Sequence, residues 1–271
     1  MKIEFDDLSL IIRTGLAALR SPKTAHRLLQ QVPARIRASV LLDNLFQKGA
    51  AVVHREPGGL EQFFDNKQGR GIQKWRHYFD IYERHFGKFV GKEVHVVEVG
   101  VASGGSLEMW RNYFGEKCYV YGIDINPACK KFETNGVKIF IGDQGDRNFW
   151  QRLKAEIPFV DILIDDGSHI PEHQIVTLEE MLPHVSPNGV YLCEDIEKQY
   201  PPHPLLSYLA PVVEELHLLT FAPGDDSSYL TGLPNGLQSS ISSIHFYPFV
   251  VVVEKRRFAI LRSDKRGAEW L

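Results

Sequence analysis

The run Val94–Gly105, VHVVEVGVASGG, restricts the fold more than any other stretch of this chain. Valines at 94, 96, 97 and 99 make a near-continuous apolar segment that stops at Gly100, and a polar, helix-compatible stretch follows from Ser106 to Tyr113. An apolar strand, a glycine turn and a helix start describe a buried parallel strand of an α/β sheet. Glycines at 100, 104 and 105 let the backbone come close to a ligand, and the free N–H groups of the helix's first turn face whatever sits above them. Glu98, near the strand's end, can accept from a cationic or hydroxyl-bearing ligand. Taken alone, the pattern also fits dinucleotide-binding folds and ligand-free turns.

The alternation continues downstream. CYVYGI (Cys118–Ile123) ends in Asp124, and VKIFI (137–141) ends in Gly142, Asp143 and Gln144. Val160–Ile164 ends in Asp165, Asp166, Gly167, Ser168 and His169, and Val190–Cys193 ends in Glu194 and Asp195. Helical stretches over 107–114, 149–157 and 172–182 separate them. Strands alternating with helices predict a Rossmann-like α/β fold, mostly parallel, with ligands beyond the strands' carboxyl ends. Val250–Glu254 and Phe258–Leu261, either side of Lys255-Arg256-Arg257, predict a C-terminal antiparallel hairpin. Pro201–Leu237, rich in Pro, Gly, Ser and Asp, predicts a lid or binding loop.

Ahead of the sheet, residues 1–50 read as an N-terminal helical arm, with Leu8, Ile11, Ile12, Leu16 and Leu19 at helical spacing. A packing or oligomerisation arm is the plain reading, and membrane-surface attachment the alternative. Gly49–Gly71 predicts a hinge or mobile loop, and Ile72–Phe89 an aromatic helix. This divides the chain into arm and connector, 1–90, and a ligand-binding domain, 91–271.

Composition enters as exclusion. A net charge of −3 over 271 residues, with no basic stripe in the sheet region, argues against nucleic acid. No apolar run approaches the roughly 18 residues that cross a bilayer, and the acidic start (Glu4, Asp6, Asp7) argues against a secretory signal. Three scattered cysteines, 118, 129 and 193, point to a reducing compartment, hence the cytoplasm, rather than to disulfides or zinc. The arm's apolar stripes favour a homo-oligomer, dimer or larger.

The strand ends carry the chemistry. Asp124 can accept the hydroxyls of a ribose, while Asp143 either takes an adenine amino group or caps the following helix. Asp165, Asp166, His169, Glu194 and Asp195 come from two strands expected to be neighbours. Four carboxylates brought together need protons or a cation. Hard oxygen donors with no cysteine nearby favour Mg²⁺, Mn²⁺ or Ca²⁺ over zinc, which leaves His169 as a general base. The bland alternative is helix capping by Asp and Ser, with His169 a surface residue.

The motifs EVGVASGGS, GIDI, GDQGD, IDDGSH and the ED of CEDIEKQY resemble those of class I S-adenosylmethionine-dependent methyltransferases. Within these, they are similar to the Mg²⁺-dependent sugar O-methyltransferases of macrolide deoxysugars and of mycobacterial methylmannose-type polysaccharides. The resemblance covers Val94–Tyr200 and extends through SIHFY and VVVVEK. It implies a class I methyltransferase sheet and S-adenosylmethionine held by Glu98, Gly100, Ser103, Gly104, Ser106, Asp124, Asp143 and Asp165. It further implies Mg²⁺ on Asp166, Glu194 and Asp195, and His169 as the base beside Asp166. The reaction implied is methyl transfer to a sugar hydroxyl of a glycosylated natural product or saccharide. IEKQY after Asp195 departs from the Thr/Ser-rich run expected there, and 63–74 matches only loosely; both segments bear on the acceptor. The family also resembles proteins described as cephalosporin hydroxylases, but an iron site of two histidines and a carboxylate is not evident in a cluster with one histidine.

Overall fold

The computed structural model describes residues 55–157, 159–197, 203–218, 235–257 and 266–267, and the backbone alone of 230–232 and 261–263. The chain divides into two compact units, residues 1–56 with 198–202 and residues 57–197 with 203–271. The predicted N-terminal arm, and the self-association expected of it, lie outside the described residues.

The second unit is built on seven strands in the order β3-β2-β1-β4-β5-β8-β7. These are β1 (Val94–Val99), β2 (Cys118–Asp124), β3 (Val137–Ile141), β4 (Val160–Asp165), β5 (Val185–Cys193), β7 (Ile241–Tyr247) and β8 (Val250–Lys255). The first five run parallel, and β8 and β7 add antiparallel. All six residues of β1 are buried, as a central parallel strand covered on both faces requires. The pairing Val99 with Ile123 on one side and Asp165 on the other, then Asp165 with Cys193, aligns the carboxyl ends in one row. Strand order reverses at β1 and β4, the place where such sheets bind ligands.

Gly100 makes the close approach of these ends possible. Its φ is +93°, and an added Cβ would lie 1.9 Å from the Asp166 carbonyl oxygen, so only glycine lets β1 turn beside β4. At the next turn, a Cβ on Gly105 would meet the Gly71 carbonyl at 2.3 Å. That contact brings the segment before the aromatic helix down onto the start of α3 (Gly105–Phe114).

Several expectations shift. The second compact unit includes the stretch from Pro57 onward. From Pro57 onward the connector is packed rather than hinged: α1 (Gly59–Asp65) buries Leu60, whose N–H donates to Glu83 of α2 (Tyr78–Phe86) at 3.1 Å. Helix α2 buries Tyr78, Tyr82 and Phe86 at the i, i+4, i+8 spacing of one helical face, with Phe79 buried beside them. It starts at Tyr78 rather than Ile72.

The sheet's other helices, α4 (Arg147–Glu156) and α5 (Pro171–Met181), lie within a residue or two of expectation. The antiparallel hairpin exists but is one strand earlier than predicted, β7 with β8, turning at Pro248 and Phe249. Pro248 has no N–H to donate and Phe249 adopts φ +63°, a turn that continued pairing would not accept. The second predicted arm contributes β9 (Leu261–Ser263), which pairs with β6 (Leu230–Gly232) in a separate two-stranded sheet. The predicted lid region contains α6 (Pro204–Leu216), whose Leu205, Leu209, Val212 and Leu216 pack on the second core cluster. Among the described residues, no helix is long and apolar enough to cross a membrane.

Candidate active site

The row of strand ends opens into a cleft of about 730 Å³. One half is the glycine turn: Gly100, Val101, Ala102 and Ser103, with Ser106 at the start of α3 and Asp124 at the end of β2. The other half is charged: Lys74, Asp166, His169, Glu194 and Asp195, beside Trp75 and Tyr78.

Asp124 holds the first half in shape. Its Oδ2 accepts the N–H groups of Val101 and Ala102, both at 3.0 Å, and its Oδ1 accepts Asn126 N–H at 2.8 Å. A carboxylate offers about four acceptor sites, so three internal bonds leave room for about one more, fewer than the pair of ribose hydroxyls expected of it.

Four of the residues expected to touch a cofactor, Glu98, Gly104, Asp143 and Asp165, are not among those that line the cleft. Glu98 is fully buried, and its oxygens accept the Ser106 hydroxyl at 2.9 Å and the Trp110 indole N–H at 3.0 Å. It fastens α3 to β1. Gly104 starts α3 with φ +72° against the Phe132 ring. Asp143 is exposed and accepts Gly145 N–H at 2.8 Å, while Asp146 is the residue that caps α4. Asp165 is buried and accepts from Gln144 at 3.0 Å and the Tyr191 hydroxyl at 3.4 Å.

Burial pushes the Glu98 carboxyl up to about 7 and that of Asp165 up to about 6. A raised carboxyl keeps in the folded state a proton that the unfolded chain has released. Stability therefore falls as pH rises from the ordinary glutamate range through 7. In Glu98→Gln the side-chain oxygen can still accept from Trp110, and the Ser106 hydroxyl can turn to accept from the amide. The variant should melt with the parent at pH 5 and above it at pH 8, by roughly 1–3 kcal/mol. Calorimetric melting at the two pH values reads the difference.

The charged half is held by residues that sequence spacing did not single out. Lys74 Nζ, its side chain 3% exposed, lies 2.5 Å from Asp166 Oδ2 and 2.8 Å from Glu194 Oε2. Burial alone would lower its pKa, but Glu194, Asp166 and Glu98 raise it further than burial lowers it. Tyr82 donates to Glu194 Oε1 and Tyr78 to Asp195 Oδ1, both at 2.6 Å. These tyrosines are one turn apart on α2, so their hydroxyls leave the same face. His169 Nε2 lies 3.2 Å from Asp166 Oδ1 and 3.5 Å from Asp195 Oδ2. The bond to Asp166 holds the imidazole above its ordinary pKa.

Backbone strain gathers here. Of five non-glycine residues with positive φ among those described, Ala102, His169 and Asp195 line the cleft, and Phe249 packs its ring against Trp75, which lines it; the fifth is Asn188. Such conformations cost about 1–3 kcal/mol each and persist where a site requires them.

The donors fit a hard divalent cation. Ligand atoms of Asp166, His169 and Asp195 lie within 4.8 Å of one another. Glu194, expected with them, shares the cleft but spends its oxygens on Lys74 and Tyr82. Among the described residues a single lysine, Lys74, pairs with Asp166 and Glu194, and burial still pushes the Glu194 carboxyl upward against the pull of Lys74. The cluster is short of positive charge, and a divalent ion would supply it.

No family model matches the chain. It is similar to 8-demethyl-8-alpha-L-rhamnosyl tetracenomycin-C 2'-O-methyltransferase of Streptomyces olivaceus, 33% identical over 206 residues, which are 69% of this chain and 52% of that protein. Similarity to mycinamicin VI 2''-O-methyltransferase of Micromonospora griseorubida is 31% over 198 residues, 65% of this chain and 47% of that one. The chain thus spans about half the length of these curated relatives. Among solved structures, MycE methyltransferase from the mycinamycin biosynthetic pathway, in complex with Mg and SAH, superposes with a TM-score of 0.59 at 29% identity, over 75% of this chain and 55% of that one. The same enzyme in complex with Mg, SAH and mycinamycin VI gives 0.59 at 25% identity, over 89% and 63%. By sequence and by fold, the chain is related to the sugar O-methyltransferases through a domain of the class I methyltransferase type.

Proposed function

We propose that this domain transfers a methyl group from S-adenosylmethionine to a sugar hydroxyl of a glycosylated natural product or saccharide. The observation that carries the reading is the union in one cleft of a glycine turn braced by Asp124 with the Asp166, His169 and Asp195 cluster. S-adenosylmethionine would supply the electrophilic methyl, and a divalent cation such as Mg²⁺ the charge that fixes and acidifies the acceptor hydroxyl. Asp166 and Asp195 are the groups that would hold the cation, with Glu194 behind them on Lys74 and Tyr82. Tyr78 fixes the rotamer of Asp195. The His169 imidazole accepts the hydroxyl proton, and the cleft's walls hold the oxygen in line with the methyl.

An aromatic rim supports a sugar-bearing acceptor. Trp75 lines the cleft while 47% exposed, its ring 5.4 Å from that of Phe249. An exposed tryptophan beside a polar cleft offers a flat apolar face to the C–H face of a sugar or to an aglycone. Trp75→Ala should raise the KM for a glycoside acceptor a few- to about tenfold while leaving S-adenosylmethionine affinity unchanged. The three cysteines, all buried and free, support action in a reducing cytoplasm. The hydroxylase alternative draws on two histidines per iron, and among the described residues His169 is the one histidine of this cleft.

The test is calorimetric titration of S-adenosylmethionine into the protein, once with Mg²⁺ and once with EDTA. Saturable binding in both is expected, followed by Mg²⁺-dependent methylation of a rhamnoside. No binding in either condition overturns the reading.

A further inference from the structure

A second cluster of metal-binding side chains stands apart from the cleft. His85 on α2, His245 on β7 and Glu254 on β8 each place a ligand atom within 4.8 Å of the other two. None of the three lines the cleft. We propose that His85, His245 and Glu254 form a binding site for a zinc-class transition-metal ion that ties α2 to the terminal hairpin.

Two imidazoles and a carboxylate form a nitrogen–oxygen set suited to Zn²⁺ and its neighbours rather than to Mg²⁺. Each ring also has the outer partner that orients a metal-bound imidazole. His85 Nε2 lies 2.9 Å from the Tyr247 hydroxyl, and His245 Nε2 lies 3.0 Å from Ser243 Oγ. That leaves His85 Nδ1 toward Glu254 Oε1, at 2.8 Å. Zinc bonds of about 2.0–2.1 Å in tetrahedral array separate their donors by roughly 3.3 Å, so the pair needs to open by about half an ångström.

The second histidine is the telling part. A buried His–Glu hydrogen bond needs one imidazole, yet the His245 ring stands 4.6 Å from that of His85. Burial and this neighbour both disfavour a charge on His85, which is 2% exposed, and a neutral ring is the form that binds metal. Lys88 Nζ is the competing cation, 3.7 Å from Glu254 Oε1. It is 40% exposed and free to swing into solvent. Glu254 is 26% exposed, so the site is open to ions from solution.

The consequence lies one and two turns along the same helix. Tyr82 and Tyr78 of α2 hold Glu194 and Asp195, so an ion at His85 fastens the helix that aligns those acids.

The test uses metal-stripped protein titrated with Zn²⁺ against a chromophoric chelator, with melting temperature followed in parallel. The expected result is one equivalent of zinc that His245→Ala and Glu254→Gln each lose, and that Asp195→Asn, in the cleft, keeps. Tyr247→Phe, which removes only an outer partner, should weaken binding about 10–100-fold. Added zinc should raise the melting temperature of the parent but not of His245→Ala. The proposal is overturned if the parent binds no zinc, or if His245→Ala and Glu254→Gln bind it as the parent does.

Discussion

Lys74→Met should lower the melting temperature by roughly 6–20 °C, the largest stability loss expected of any single change in the cleft. The reasoning is one of compensation. Among the described residues, Lys74 is the one cation in bonding contact with both Asp166 and Glu194, and methionine keeps the length of the side chain while deleting its charge. Breaking a buried ion pair by removing one partner costs about 3–5 kcal/mol, because the remaining charge stays in a low-dielectric site without relief. Two controls separate charge from packing. Lys74→Met with Glu194→Gln should recover part of the loss, since the amide carries no charge and still accepts from Tyr82. Millimolar Mg²⁺ should raise the melting temperature of Lys74→Met more than that of the parent, because the acids then lack their built-in cation. If the variant melts with the parent, or if Mg²⁺ affects both alike, the acids are not balanced by Lys74 and the account of the cluster is wrong.

The contrast between Lys74 and the acids it serves explains what a sequence reveals here. The acids were legible because each ends a valine- or isoleucine-rich run, and parallel strands deliver such ends to one edge. Lys74 and Tyr82 were not, because their bonds to Glu194 span 120 and 112 positions and no local spacing encodes them. The only local sign was Tyr78 and Tyr82, four residues apart on an otherwise apolar helix face.

Asp165 and Asp166 teach a second lesson. Asp165 is the last residue of β4 and keeps the strand's alternation of faces, while Asp166 lies just beyond it. Asp166 reaches the cleft, while Asp165 turns back to Gln144 and Tyr191. Nor does sequence give a sign that Ser106 and Trp110 would fill both oxygens of Glu98. Helix α6 was overlooked for the opposite reason. Its Leu205, Leu209, Val212 and Leu216 carry a plain helical period, obscured by the Pro, Gly and Ser content of the segment around it.

His169→Asn should reduce kcat for methyl transfer about 10²–10⁴-fold, the usual contribution of a positioned general base. Its affinity for S-adenosylmethionine should stay within about threefold of the parent's. Asparagine is the informative replacement because His169 adopts φ +56°, and asparagine tolerates the left-handed region better than most residues. The backbone between Gly167 and Ile170 can then stay in place while the proton acceptor is lost. An imidazole held by Asp166 and Asp195 is fixed in direction, and its raised pKa sets the sign of the pH dependence. The proton-accepting form grows in as pH rises through and beyond the ordinary histidine range, so kcat should rise with it, and the residual rate of the variant should lack that limb. Turnover within tenfold of the parent, or an unchanged acid limb, would remove His169 as the base. The proton would then have to leave through one of the neighbouring carboxylates that line the same opening, Asp166, Glu194 or Asp195.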